Sequence, residues 1–100
     1  MHTKRAVCDK IADIIEGPRD NDYGDFAENM EHTAALFTAY LWTQLKTPIT
    51  SVQACDIISL IKFARTRTTP LEGDHHLDKG GYAVGAFLCS EAEEARNSKK

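Results

Sequence analysis

The chain lacks an excess of basic charge, a disulfide-like cysteine pattern and any long apolar run. Twelve Lys and Arg stand against fifteen Asp and Glu, for a formal net charge of -3. A non-specific nucleic-acid binder usually carries a basic footprint, so the charge balance argues against that class. Cys8, Cys55 and Cys89 are odd in number and widely spaced. No C-x-x-C pair occurs, which excludes a zinc knuckle and a thioredoxin-like motif. Reduced thiols in a cytoplasm are expected instead. The apolar runs fall far short of the roughly 20 residues that a membrane span needs, so no membrane partner is expected. The N-terminal stretch MHTKRAVCDKIADII soon meets Asp9 and Asp13 and has no apolar signal core. Three Pro and six Gly are too few for a low-complexity chain. No Walker A loop, H-E-x-x-H or G-x-S-x-G occurs. Cys89 and Ser90 have no recognisable activating base at fixed spacing, which weighs against nucleophilic catalysis.

What is present is helical periodicity. The expected fold is all-α, a four-helix bundle-like single domain over residues 1–100. Ala6, Val7, Ile11, Ile14 and Ile15 recur at helical spacing, giving a helix over about 3–16. Gly17-Pro18 ends it, since Pro cannot continue a helix. Asp25, with Glu28 three residues on, reads as the capped start of a helix over about 25–44. That helix is apolar over a wide arc and is expected in the middle of the bundle. Thr50 and Gln53 form a second capping box, opening a helix over about 50–66 with Ile57, Ile58, Ile61 and Ala64 on its buried face. A last helix runs over about 74–94 with a polar tail at 95–100. Gly80 and Gly81 lie inside it, where each costs about 1 kcal/mol relative to Ala, so close approach of another backbone is one reason for them. A core this small, with one helix apolar over a wide arc, points to a homo-oligomer.

The chemistry-bearing residues gather in three places. In GPRDNDYGDFAEN, residues 17–29, Arg19 offers a fork of donors suited to phosphate or carboxylate. The same loop, read blandly, is an ordered turn in which Tyr23 plugs the bundle end and Arg19 makes a local ion pair. Residues 16–31 hold six acids and one Arg. Glu28, Asp56, Asp74 and Asp78 come from three helices, the last two at i,i+4. Carboxylates converging from separate helices suit a hard cation such as Mg²⁺, which also takes substrate phosphates. A solvated helix face is the commoner meaning of such acids. Lys62 and Arg65, at i,i+3, suit phosphate oxygens equally with an ion pair to Glu72, Asp74 or Asp78. His75 and His76 are neighbours and point about 100° apart on a helix, so they do not favour one shared metal.

The order of these motifs resembles a small phage and prophage family of unknown function. I-x-x-G-x-R-x-x-D-Y-G-D-x-x-E-N-M covers residues 14–30. ITSVQACDIISLIKFAR at 49–65 is similar to the family's apolar helix ending K-x-A-R, and DHHLDKGGYA at 74–83 to its D-x-x-x-D-x-x-G-Y-A helix. The chain departs from the family pattern at Pro18, where an acid is usual, and at Lys79, where an apolar residue is usual. The layout is in turn similar to nucleotide-modification-associated domains and to the all-α pyrophosphohydrolases of the MazG kind. The resemblance implies a phage-type nucleotide-handling protein with a nucleotide or other phosphate-bearing small molecule as partner. Glu28 and Asp78 would be catalytic, and Glu28, Asp56, Asp74 and Asp78 would hold Mg²⁺. Arg19, Tyr23, Asn29, Lys62, Arg65 and Tyr82 would bind the ligand. A non-catalytic nucleotide-binding module and a small helical interaction protein stay open beside the Mg²⁺-dependent hydrolase.

Overall fold

Three of the four helices begin where a short polar side chain precedes a periodic apolar run, and each of those side chains caps. A computed structural model describes residues 1–17 and 25–98. Helix α1 spans Lys4–Glu16, with Thr3 Oγ1 accepting from the Ala6 amide at 3.1 Å. Helix α2 spans Phe26–Tyr40, with Asp25 Oδ2 accepting from the Glu28 amide at 3.3 Å. Helix α3 spans Ser51–Arg65 and carries the full capping box expected from Thr50 and Gln53. Helix α4 spans Gly73–Ser98. The described residues form an all-α, bundle-like arrangement without strands.

Two boundaries differ from expectation. The second helix ends at Tyr40 and tightens into a 3₁₀ turn, Trp42–Gln44, before the chain extends at Leu45. Helix ends often tighten this way to satisfy their last carbonyls. Thr38 Oγ1 then accepts from the Ile49 amide at 2.9 Å and fixes the returning chain. At the other end, α4 continues to Ser98, past the expected Glu94. Arg96 Nη1 holds Glu31 Oε1 of α2 at 2.8 Å, so that turn is tied to the bundle.

The central helix is α4, not α2 as expected. It packs against α1, α2 and α3, and small side chains make this feasible. Gly81, Gly85 and Cys89 are buried at four-residue spacing on one face. Gly80 and Gly81 meet Ile11 and Ile15 of α1, and a Cβ at Gly85 would run into the Phe26 ring of α2. Side chains of α1, and not the backbone approach expected, fill the space beside Gly80 and Gly81, and the Phe26 ring fills that beside Gly85.

The core itself is small: Met30, Ala34, Ala54, Cys55 and Cys89, with Ser51. Phe26, Phe37, Ile49, Val52, Ile58 and Tyr82 pack against it half-buried. The expected buried face of α3 is corrected. Ile57 and Ile58 are half-buried, whereas Ile61 and Ala64 are exposed. The side of α3 that meets α4 is marked by Ser51, Cys55 and Lys62, which rotates the isoleucine stripe toward solvent.

Candidate functional site

Lys62 and Asp78 form the one cross-helix ion pair between α3 and α4 among the described residues. Lys62 Nζ lies 3.2 Å from Asp78 Oδ2, with both side chains largely covered. Of the readings open at Lys62, the ion pair across the bundle is therefore present. Asp78 lies one turn before Tyr82 on α4, and Tyr82 stacks at a tilt on Phe26, ring centroids 6.0 Å apart. Phe26 opens α2, two positions before Glu28. Residues from three separate motifs are thereby neighbours: Phe26 from the loop and α2, Lys62 from K-x-A-R, and Asp78 with Tyr82 from α4.

The remaining predicted residues are distributed around this junction. Glu28 is exposed in the first turn of α2, and Asp74 is exposed in the first turn of α4. Both carboxylates complement the positive end of a helix dipole there. Asn29 is half-buried, its carbonyl accepting from Thr33 Oγ1 at 2.9 Å. Arg65 is exposed in the last turn of α3, one turn from Lys62. Arg19 and Tyr23 lie outside the described residues.

Asp56 is not part of the group. It lines a separate hollow of about 350 Å³ with Leu45, Lys46, Gln53 and Leu60, behind the α2–α3 connection. Among the described residues, no three His, Cys, Asp or Glu side chains lie close enough to hold a metal ion. Asp78 is also already engaged by Lys62. The donor set of Glu28, Asp56, Asp74 and Asp78 thus does not fit a resident Mg²⁺ among these residues, and no metal-dependent step is derived. Lys79 makes no ion pair with Asp78. Its Nζ sits 4.7 Å from the centroid of the Phe63 ring.

The histidines fasten a turn. His76 Nε2 donates to the Pro70 carbonyl at 2.7 Å, and His75 Nε2 shares a 2.8 Å hydrogen bond with Thr69 Oγ1. These contacts fold the α3–α4 connection back on the start of α4.

A larger groove, about 810 Å³, runs between α2, the start of α3 and the end of α4. Ala34, Thr38, Ser51, Glu93 and Arg96 line it, and none of the predicted site residues does. Glu93 Oε1 accepts from both the Ser51 amide, at 3.1 Å, and Ser51 Oγ, at 2.7 Å. Sequence reasoning passed over Glu93 because its partner is far away in the chain.

Comparison with known proteins agrees with the motif order. A domain of unknown function, DUF6378, matches residues 6–88. The chain belongs to this family. The DUF6378 chain is also similar to the Gene 55 protein of Mycobacterium phage D29, 30% identical over 78 residues. The match covers 78% of this chain and 49% of that protein, so the DUF6378 chain spans about half the length of this curated relative. No solved structure matches it. It is thus a phage-associated domain of unknown function. No helix among its described residues is long and apolar enough to cross a membrane.

Proposed function

We propose that this DUF6378 chain is a phage-type nucleotide-handling protein that binds a nucleotide or a related phosphate-bearing small molecule where α2, α3 and α4 meet. The observation that carries the reading is the Lys62–Asp78 pair at that meeting point. Lys62 is a point charge held in place by Asp78, and exposed Arg65 adds a planar fork one turn away. A phosphate arriving there would compete with Asp78 for Lys62 and take bidentate hydrogen bonds from Arg65. Tyr82 and Phe26 supply an aromatic wall on the adjoining turn. The host cytoplasm is the proposed compartment, supported by three free thiols.

One observation favours a hydrolytic extension of the same site. Asp74 and Asp78 stand one turn apart on α4, as the pyrophosphohydrolase-like layout would want. That reading requires Asp78 to leave Lys62, and Glu28 and Asp74 to turn in beside it, before the three carboxylates could hold Mg²⁺.

Calorimetry with nucleoside mono-, di- and triphosphates, in Mg²⁺ and in EDTA, with the ligand recovered and analysed, tests both readings. Binding that survives EDTA, with intact ligand, supports the binding reading. Lys62→Ala and Arg65→Ala should each weaken it by roughly tenfold or more, the worth of a charge-assisted hydrogen bond. No heat with any nucleotide, or unchanged affinity in both variants, overturns it. Pyrophosphate released in Mg²⁺ and lost in Asp78→Asn replaces binding with hydrolysis.

A further inference from the structure

The thiols of Cys55 and Cys89 have no part in the site proposed above. Both side chains are fully covered, and their sulfurs lie 3.8 Å apart across the seam between α3 and α4. Contacts on either side hold them face to face. Ser51, one turn before Cys55, bonds to Glu93, one turn after Cys89. Beyond the cysteines in the other direction, Lys62 meets Asp78. The two helices therefore run antiparallel, and the register at Cys55–Cys89 is fixed from both ends. Cys8 offers no competing partner, since it is exposed on α1.

Small side chains let the helices come close at this level. Ala54 and Gly85 are buried beside the two cysteines. Helices packed through small residues run about 8 Å apart, with Cα atoms about 2.3 Å from each axis. Facing Cα atoms then come well within the roughly 6.8 Å that a disulfide can span. Bond formation needs the sulfurs to close from 3.8 Å to about 2.05 Å. A turn of each side chain about χ1 shares that movement, under about 1 Å per sulfur, and leaves both backbones in place.

We infer that Cys55 and Cys89 are a redox modification site, which a peroxide closes into a disulfide between α3 and α4. One sulfur, as thiolate, attacks a peroxide oxygen. The S–O bond forms, the O–O bond breaks, and the departing hydroxide takes up the proton that the thiol lost. The second sulfur then attacks the sulfenic acid. The S–S bond forms, the S–O bond breaks, and hydroxide leaves with the second thiol's proton as water. Two thiols and one hydrogen peroxide thus give one disulfide and two waters. Burial sets the character of the reaction. In the closed seam neither thiol meets bulk reagents, so the first step waits for α3 and α4 to part locally. Once they reclose, the neighbouring sulfur reaches the sulfenic acid before a second peroxide does. The product is therefore a disulfide and not a sulfinic acid. In a reducing compartment the two thiols persist until oxidant rises, as in other redox-sensing intracellular disulfides.

Hydrogen peroxide treatment of the folded Cys8→Ser chain tests this, followed by alkylation of free thiols in denaturant and peptide mass mapping without reductant. Replacing exposed Cys8 keeps links between chains out of the reading and leaves the core untouched. One linked Cys55–Cys89 peptide pair is expected, with no oxygen on either sulfur and full reversal by dithiothreitol. The linked chain should keep its helical circular dichroism. It should melt roughly 10 °C or more above the reduced chain, since the link closes a loop spanning 34 positions. Adding Cys89→Ser should abolish that peroxide-induced rise. Both thiols still free after exposure that fully oxidises Cys8 in the unsubstituted chain and is then greatly prolonged overturns the inference. Oxygen added without a link, a linked chain that melts no higher than the reduced one, or a rise that persists in Cys89→Ser overturns it equally.

Discussion

Cys8 is exposed on α1, whereas Cys55 and Cys89 are fully buried with their sulfurs 3.8 Å apart. The same side chain therefore has different chemistry at the two places. Burial first, then the neighbouring Cys89 thiol and the Asp56 carboxylate, push the Cys55 thiol up from 9.0 to about 12. The thiolate is the reactive form, so Cys55 is inert near neutrality. Ellman's reagent should titrate one thiol per native chain and all three in denaturant; two or more fast native thiols would contradict the burial. The raised value also has a stability consequence. Below pH 9.0 both folded and unfolded chains keep this proton, and the contribution is complete. As pH rises from 9.0 toward 12, only the unfolded chain releases it, and stability falls by at most about 1.4 kcal/mol per pH unit. Urea melts of the parent and Cys55→Ala across that range should diverge, with the parent showing the steeper loss. At the Lys62–Asp78 pair, Lys62→Ala should cost about 1 kcal/mol in a urea melt, since Asp78 keeps enough exposure to rehydrate.

At the level of the helix, caps and glycines decide the geometry. Thr50→Ala removes the acceptor of the Gln53 amide and should lower stability by about 1 kcal/mol. Gly85→Ala gains about 1 kcal/mol of helix propensity but drives a methyl into the Phe26 ring, and overpacking costs about 1–3 kcal/mol. A net loss on the order of 1 kcal/mol is expected in thermal denaturation, together with weaker near-ultraviolet signal from Tyr82 beside that ring. The capping box at Thr50 was legible because all of its parts lie within four residues. The role of Gly85 was not, because its partner Phe26 belongs to another helix and one glycine announces no neighbour. The Arg96–Glu31 tie was hidden for the same reason, so the polar end of α4 read as a tail. At the candidate site, the Lys62–Asp78 partnership could be named among alternatives from charge alone. The separation of Asp56 could not, since it depends on which side of α3 the 45–49 connection folds over.

For the molecule as a whole, the all-α class follows from period and caps, and the phage-associated family from motif order. The apolar face of α3 was misassigned for an instructive reason. The helix is apolar nearly all round, with Ala54 and Cys55 on one side and Leu60, Ile61 and Phe63 on others. Periodicity finds one face only when the other is polar. Such a helix is at home where neighbours pack on more than one side of it.

The bond from Ser51 to Glu93 spans 42 positions of chain. During synthesis, then, the start of α3 emerges well before the carboxylate that completes it. Thr50 and Gln53 can hold that first turn locally in the meantime. Glu93 can lock it only when the distal half of α4 has left the ribosome and folded back. The first turn of α3 therefore carries two clasps, a local one that needs no other helix and a long-range one that exists only once α4 is docked.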